Sequence, residues 1–131
     1  MNDAHLPDDL ITSFNTQFGT KPMAVAHAHG RANLIGEHTD YNDGLVLPCK
    51  ISNRTEVALT MRNDDLICGI SNHFSAGQKT VYTGLDGHWL DFVIGALHQL
   101  LPIGGRFQGV DIVVKSDIPP GAGVSSSAAL E

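Results

Sequence analysis

Positive charge is scarce in this chain. Eight lysines and arginines stand against 14 aspartates and glutamates in 131 residues, a net charge of −6. No basic stripe is present to neutralise phosphate backbones, which excludes nonspecific nucleic-acid binding. Any bound anion must be held by local geometry against the net field. Cysteine is scarce too. Cys49 and Cys68 lie in unrelated contexts and form no CxxC, which excludes a disulfide scaffold and points to reduced thiols. No run reaches the ~18 apolar residues of a membrane helix. The opening MNDAHLPDD is acidic and lacks the apolar core of a signal peptide. A cytoplasmic chain with no membrane partner is expected.

What is present is ordinary globular material. Hydrophobic residues make up 42% and charged residues 17%, enough for one domain with a real core. PDDLITSFNTQF at 7–18 predicts a helix, with Leu10, Phe14 and Phe18 as its stripe and Gly19 as its stop. Strands are expected at 23–29, 45–51, 57–62, 79–83 and 109–116. Asn63-Asp64-Asp65 is turn chemistry, so 66–71 is expected to return as the hairpin partner of 57–62. HWLDFVIGALHQLL at 88–101 predicts a second helix whose apolar face is Trp89, Phe92, Val93, Ala96, Leu97 and Leu100. A third helix begins at 125–131. The order predicts an α+β fold, a mixed or antiparallel sheet with helices packed on one face.

Two stretches carry chemistry. DIPPGAGVSSSAALE closes the chain with a glycine turn feeding three serines and a helix start. Gly121 and Gly123 permit positive φ and close backbone approach. Successive N–H groups form an anion nest, and the helix start adds free donors and a positive dipole end. Ser125, Ser126 and Ser127 add hydroxyls for phosphate or magnesium. The pattern is neither a Walker A loop, having no lysine after Gly123, nor GxGxxG, having Ser126 at the third glycine. A well-capped helix after a tight turn remains the plain alternative.

The second stretch, GRANLIGEHTDYNDG, gathers Arg31, Asn33, Glu37, His38, Asp40, Tyr41, Asn42 and Asp43 in a loop punctuated by Gly30, Gly36 and Gly44. Carboxylates that accept from hydroxyls, beside an imidazole and a guanidinium that donate to them, suit a polyhydroxylated ligand. Arg31 can also stabilise a transferring phosphoryl group. The alternatives are a solvated, salt-bridged loop, or a metal site from His27, His29, His38 and Asp40, since His27 and His29 share a strand face.

Together these stretches resemble the galactokinases of the GHMP family of small-molecule kinases. Gly30–Pro48, GRANLIGEHTDYNDGLVLP, is similar to the galactokinase sugar-binding signature, with EHTDYN as its specific part. Pro120–Glu131, PGAGVSSSAALE, is similar to the GHMP phosphate-binding motif. The resemblance implies ATP-dependent phosphorylation of α-D-galactose at its anomeric hydroxyl, with galactose and ATP as ligands. It implies Arg31 near the transferring phosphate and Glu37, His38, Thr39 and Asp40 in the sugar site. It implies Gly121, Ala122, Gly123, Val124, Ser125, Ser126 and Ser127 around the ATP phosphates, with Ser127 linked to Mg2+.

The resemblance also implies a catalytic aspartate and a metal-holding glutamate further along than Glu131. Residues 1–131 are therefore expected to be an incomplete GHMP N-terminal domain without its C-terminal partner. Little turnover is expected, and apolar surface left open to association. A noncatalytic galactose or nucleotide binder and an N-acetylgalactosamine kinase stay as alternatives. Three places depart from the pattern. His27-Ala28-His29 stands where Ala-Pro commonly precedes the glycine, which frees φ and restores an N–H; Ala32 replaces valine, and Val124 replaces leucine.

Overall fold

The computed structural model describes residues 8–36, 42–100, 108–119 and 129–130. Helix α1 (Asp8–Phe18) comes first, then strand β1 (Ala24–Ile35) and the long β2 (Leu47–Met61). Strands β3 (Leu66–Ser71) and β4 (Gly77–Thr80), helix α2 (Leu90–Leu100) and strand β5 (Val110–Ser116) follow. The five strands make one sheet in the order β1-β2-β5-β3-β4. All neighbours are antiparallel except β3 and β5, so the sheet is mixed, as the α+β expectation requires.

Helix α1 forms as its stripe predicts. Leu10 and Phe14 are fully buried against Ala58 and Val113, with Phe18 partly buried beside them. Gly19 ends the helix at φ 70°, its N–H donating to the Asn15 carbonyl at 2.9 Å. Helix α2 closes a larger core with Ile67, Val81, Val110, Ile112 and Val114. Side chains alternate along a strand, so Val113 faces α1 while Ile112 and Val114 face α2. Each described helix therefore covers its own face of the sheet, where the sequence led us to expect both on one.

Five further expectations are corrected. Strand β1 continues past residue 29 to Ile35, because the first half of β2 pairs with it; Arg31 and Asn33 are strand residues, not loop residues. The apolar stretch at 45–51 and the strand at 57–62 are one strand, β2. Strand β3 does not pair with β2, because β5 lies between them.

Gly109 makes that insertion possible. Its N–H donates to Asp64 O at 2.6 Å and its carbonyl accepts from Arg62 N at 2.8 Å. A Cβ there would lie 1.8 Å from Leu66 O. The turn after β2 thus carries the chain across the start of β5 instead of back along β2. Strand β4 ends at Thr80, where Thr83 N donates to Thr80 O at 3.0 Å and turns the chain.

The last correction concerns the face of α2. Trp89, Leu90, Val93 and Ile94 are buried and Leu97 packs beside them, whereas Phe92 is 42% and Leu100 80% exposed. The pattern i, i+3, i+4, i+7 from Leu90 is the inward stripe. No helix of the described residues is long and apolar enough to cross a membrane.

Candidate functional site

Ala28, Thr55 and Ser116 stand opposite one another in a single row across β1, β2 and β5. Beyond that row β5 ends, while β1 and β2 continue as a two-stranded ribbon. Pro48 is tolerated in that ribbon because β2 has no described neighbour there except β1. The ribbon carries two irregularities. Between His29 and Arg31, β1 advances past one residue while β2 spends Ile51, Ser52 and Asn53; between Asn33 and Ile35 the extra residue is on β1. Such bulges bend the strand and re-aim side chains.

Arg31 is exposed on this ribbon, directly opposite Lys50. It lies three residues past the Ser116 row, about 10 Å at the usual rise of a strand. Like charges directly opposite each other on a sheet are destabilising. The pair is therefore a place where an anion recovers energy. Gly36 at φ 99° and Asp43 at φ 57° bend the backbone on either side of residues 37–41. Glu37, His38, Thr39 and Asp40 lie outside the described residues.

Ser116 is held on several sides. Its N–H donates to Asn72 Oδ1 at 2.9 Å, and its carbonyl accepts from Asn72 Nδ2 at 2.8 Å. That carbonyl also accepts from His73 Nε2 at 2.7 Å, and the hydroxyl meets Thr55 Oγ1 at 2.9 Å. A carbonyl only accepts, so Nε2 of His73 is the donor in this bond. Asp117 Oδ1 accepts from Arg54 N at 2.5 Å, and its carbonyl from Asn53 Nδ2 at 2.8 Å.

Ile118 is fully buried next in the chain. Ala129 is buried, and Leu130 packs on the α2 core. Both sides of the serine-glycine stretch are thereby anchored. Gly121, Ala122, Gly123, Val124, Ser125, Ser126 and Ser127 lie outside the described residues.

A cavity of about 180 Å³ joins these anchors, with Ile118, Leu130, Ser116, Phe74, Trp89 and Phe92 among its walls. The Phe74 and Trp89 rings are nearly parallel, 19° apart, with centroids at 6.5 Å. Trp89 Nε1 donates to Ser75 O at 2.9 Å, which fixes the ring. The sequence pattern assigns Trp89 and Phe92 to the apolar face of the helix and gives no signal for this cavity. Only the fold could reveal this cavity, because β3, α2 and β5 all contribute to it.

The alternative metal reading keeps one of its parts. His27 and His29 do share a face, with ring centroids 5.6 Å apart, but His29 Nδ1 donates to Ile51 O at 3.1 Å. His38 and Asp40 are outside the described residues, and among the described residues no three metal-ligating side chains converge. Cys49 and Cys68 are unpaired thiols. Burial, its largest cause, pushes the Cys68 thiol above its ordinary value, which makes it less reactive.

Comparison with known proteins agrees with this geometry. Residues 12–61 match the galactokinase galactose-binding signature, and residues 91–131 match the GHMP kinases N terminal domain. A galactokinase of Chloroflexus aurantiacus is 39% identical over 126 residues, covering 93% of this chain and 32% of the relative. One from Chloroflexus aggregans is 37% identical with the same coverage. The chain thus spans about a third of the length of the curated relatives it matches.

Among solved structures, Lactococcus lactis galactokinase complexed with galactose superposes with a TM-score of 0.78 at 32% identity. That match covers 94% of this chain and 34% of the other. Methanococcus jannaschii mevalonate kinase, at 15% identity and a TM-score of 0.60 over 82% of this chain and 36% of its own, shares the fold.

Proposed function

We propose that this chain is part of a galactokinase of the GHMP kinase family and serves the ATP-dependent phosphorylation of galactose at the anomeric hydroxyl. One observation carries the reading. The ribbon bearing the sugar signature and both anchors of the phosphate stretch lie at the same end of one sheet, beside an aromatic-walled cavity.

Each part has a chemical role in this proposal. Glu37 and Asp40 accept from sugar hydroxyls, while His38 and Thr39 complete the hydrogen bonding. Arg31 lies against the transferring phosphoryl group, and its charge counts most where negative charge is spread over the phosphoryl oxygens. Lys50, across the ladder, adds to that field. The N–H groups of Gly121 to Ser127 would hold the phosphates, and the Ser127 hydroxyl would be a ligand for the magnesium that accompanies ATP.

That ion supplies charge neutralisation between phosphates when bound. The flat rings of Phe74, Trp89 and Phe92 suit the base of the nucleotide, stacked and out of water. Dependence on ATP and two unpaired thiols suit a cytoplasmic setting.

Calorimetry on the chain tests this with galactose, N-acetylgalactosamine, galactose 1-phosphate and Mg-ATP as separate titrants. Saturable binding of galactose and Mg-ATP is expected. Arg31→Ala should weaken galactose 1-phosphate about tenfold more than galactose, since only the former presents a phosphate to the guanidinium. No saturable heat with galactose would overturn the sugar assignment. Preference for N-acetylgalactosamine would redirect it to that sugar.

A further inference from the structure

Lys79 on β4 is the one ionisable side chain buried among the described residues, 7% exposed at its side chain. Its ammonium has three donors, and three acceptors take them: the Asp91 carboxylate, Asp86 Oδ1 at 2.9 Å and Gly84 O at 3.3 Å. The two carboxylates hold the loop in turn. Asp91 Oδ2 accepts from Asp86 N at 3.1 Å and Gly87 N at 2.8 Å. Asp86 Oδ1 also accepts from His88 N at 3.0 Å.

A single cation therefore ties together residues 84–91. That segment delivers Gly87 and Trp89 to the cavity wall and starts α2. Neither Asp86 nor Asp91 lines the cavity, and the Asp86 side chain is 62% exposed, so the cluster is not a binding site itself.

We infer that Lys79, through Asp91 and Asp86, is a positioning residue for the nucleotide: it sets the distance between the Trp89 and Phe74 walls of the base slot. The inference rests on the nucleotide reading of that cavity. Removing the ammonium leaves two carboxylates facing each other, and their repulsion spreads the segment. Trp89 then loses its fixed place over the slot, while the sugar ribbon at β1 and β2 keeps its own contacts. The clamp thus acts on one ligand and spares the other, which overall destabilisation would not do.

Trp89 is the only tryptophan in the chain, so its fluorescence reports the wall directly. The experiment compares the chain with Lys79→Met and Lys79→Arg, measuring iodide quenching of Trp89 without ligand, then Mg-ATP and galactose affinity by calorimetry. Lys79→Met should raise the quenching constant and weaken Mg-ATP about tenfold with galactose affinity unchanged. Lys79→Arg, which keeps the charge, should restore both. Unchanged quenching in Lys79→Met overturns the proposal, as does an equal loss of both ligands without rescue by Lys79→Arg.

Absence of Mg-ATP binding in the unaltered chain would overturn the nucleotide reading alone, and quenching would still decide whether Lys79 sets the wall. Where Lys79→Met does not fold, Asp86→Asn removes the exposed carboxylate of the clamp. A smaller rise in quenching is expected there, and no rise overturns the proposal.

Discussion

Gly109 has no room for a methyl group, and Gly95 has room to spare. A Cβ on Gly109 would meet the Leu66 backbone at 1.8 Å, while nothing lies within 4 Å of one on Gly95. Backbone cannot retreat as a flexible side chain can. Gly109→Ala should therefore cost more than about 3 kcal/mol, in the range of strained or overpacked positions. Gly95→Ala should stabilise by about 1 kcal/mol, the helix-propensity difference, because the site is open. Urea melts of both variants check the pair; equal effects would contradict the geometry. The cost of Gly95 was legible from its place in a helix pattern. The need for Gly109 was not, because the atom it avoids belongs to a strand 43 positions earlier in the chain. Arg31 shows the same divide: its type and motif marked it, but its partner across the ladder, Lys50, depends on the bulges that shift β1 against β2.

At the scale of elements, the boundaries of α1, α2 and β5 were readable because each has its own period and stop signals. The facing of α2 was harder. Its sequence offers apolar residues on two sides, and periodicity alone cannot choose between Leu90-Val93-Ile94-Leu97 and Phe92-Ala96-Leu100. The sheet chose the first set. Leu90→Ala should cost about 2–5 kcal/mol as a cavity in the core, and Leu100→Ala about 0.5 kcal/mol or less as a surface change. Chemical denaturation separates these cleanly, and similar costs would contradict the burial.

The turn between β2 and β3 adds a pH dependence. Arg62 donates to both Asp64 oxygens at 2.7 Å and to Asp111 at 2.6 Å. Hydrogen bonding to Arg62, the largest cause, lowers the Asp64 carboxyl to about 2. An unfolded aspartate titrates near ~3.9. The folded state therefore binds this proton less readily, so the contribution is full above about pH 4 and is lost as pH falls toward 2. Asp86 and Asp91 are lowered too, chiefly by hydrogen bonds from Lys79, and act in the same acid window. The Asp64 contribution should therefore be constant between pH 7 and pH 5. Below that, Asp64→Asn should flatten the slope without abolishing it. An identical acid slope in Asp64→Asn would remove Asp64 from the account.

At the scale of the whole molecule, the ribbon that leads into the first motif and the residues that flank the second stand at the same end of the sheet, because β5 inserts beside β2 and ends beside the base of the β1–β2 ribbon. The motifs themselves were plain in the sequence, since their residue types carry the chemistry. The shared end of the sheet was not, because it depends on the parallel β3–β5 pairing that a local hairpin expectation misses. The same architecture leaves the ribbon's far end apolar and open. Leu34 is 67%, Ile35 69% and Leu47 53% exposed, close together where β1 and β2 finish their pairing. Scattered exposed leucines are ordinary on a surface, but a contiguous group at a strand end is a contact surface. A net charge of −6 opposes close approach only over a Debye length, about 8 Å at physiological salt. The chain should therefore self-associate as concentration rises, and more so in high salt, where repulsion is screened and apolar contact is not. Light scattering across a concentration series measures this directly. Ile35→Ser with Leu47→Ser should restore a monomer without changing the unfolding midpoint much, because neither side chain belongs to the core. Persistent association in that double variant would place the contact elsewhere on the molecule, with the exposed Phe92 and Leu100 of α2 as the next surface to alter.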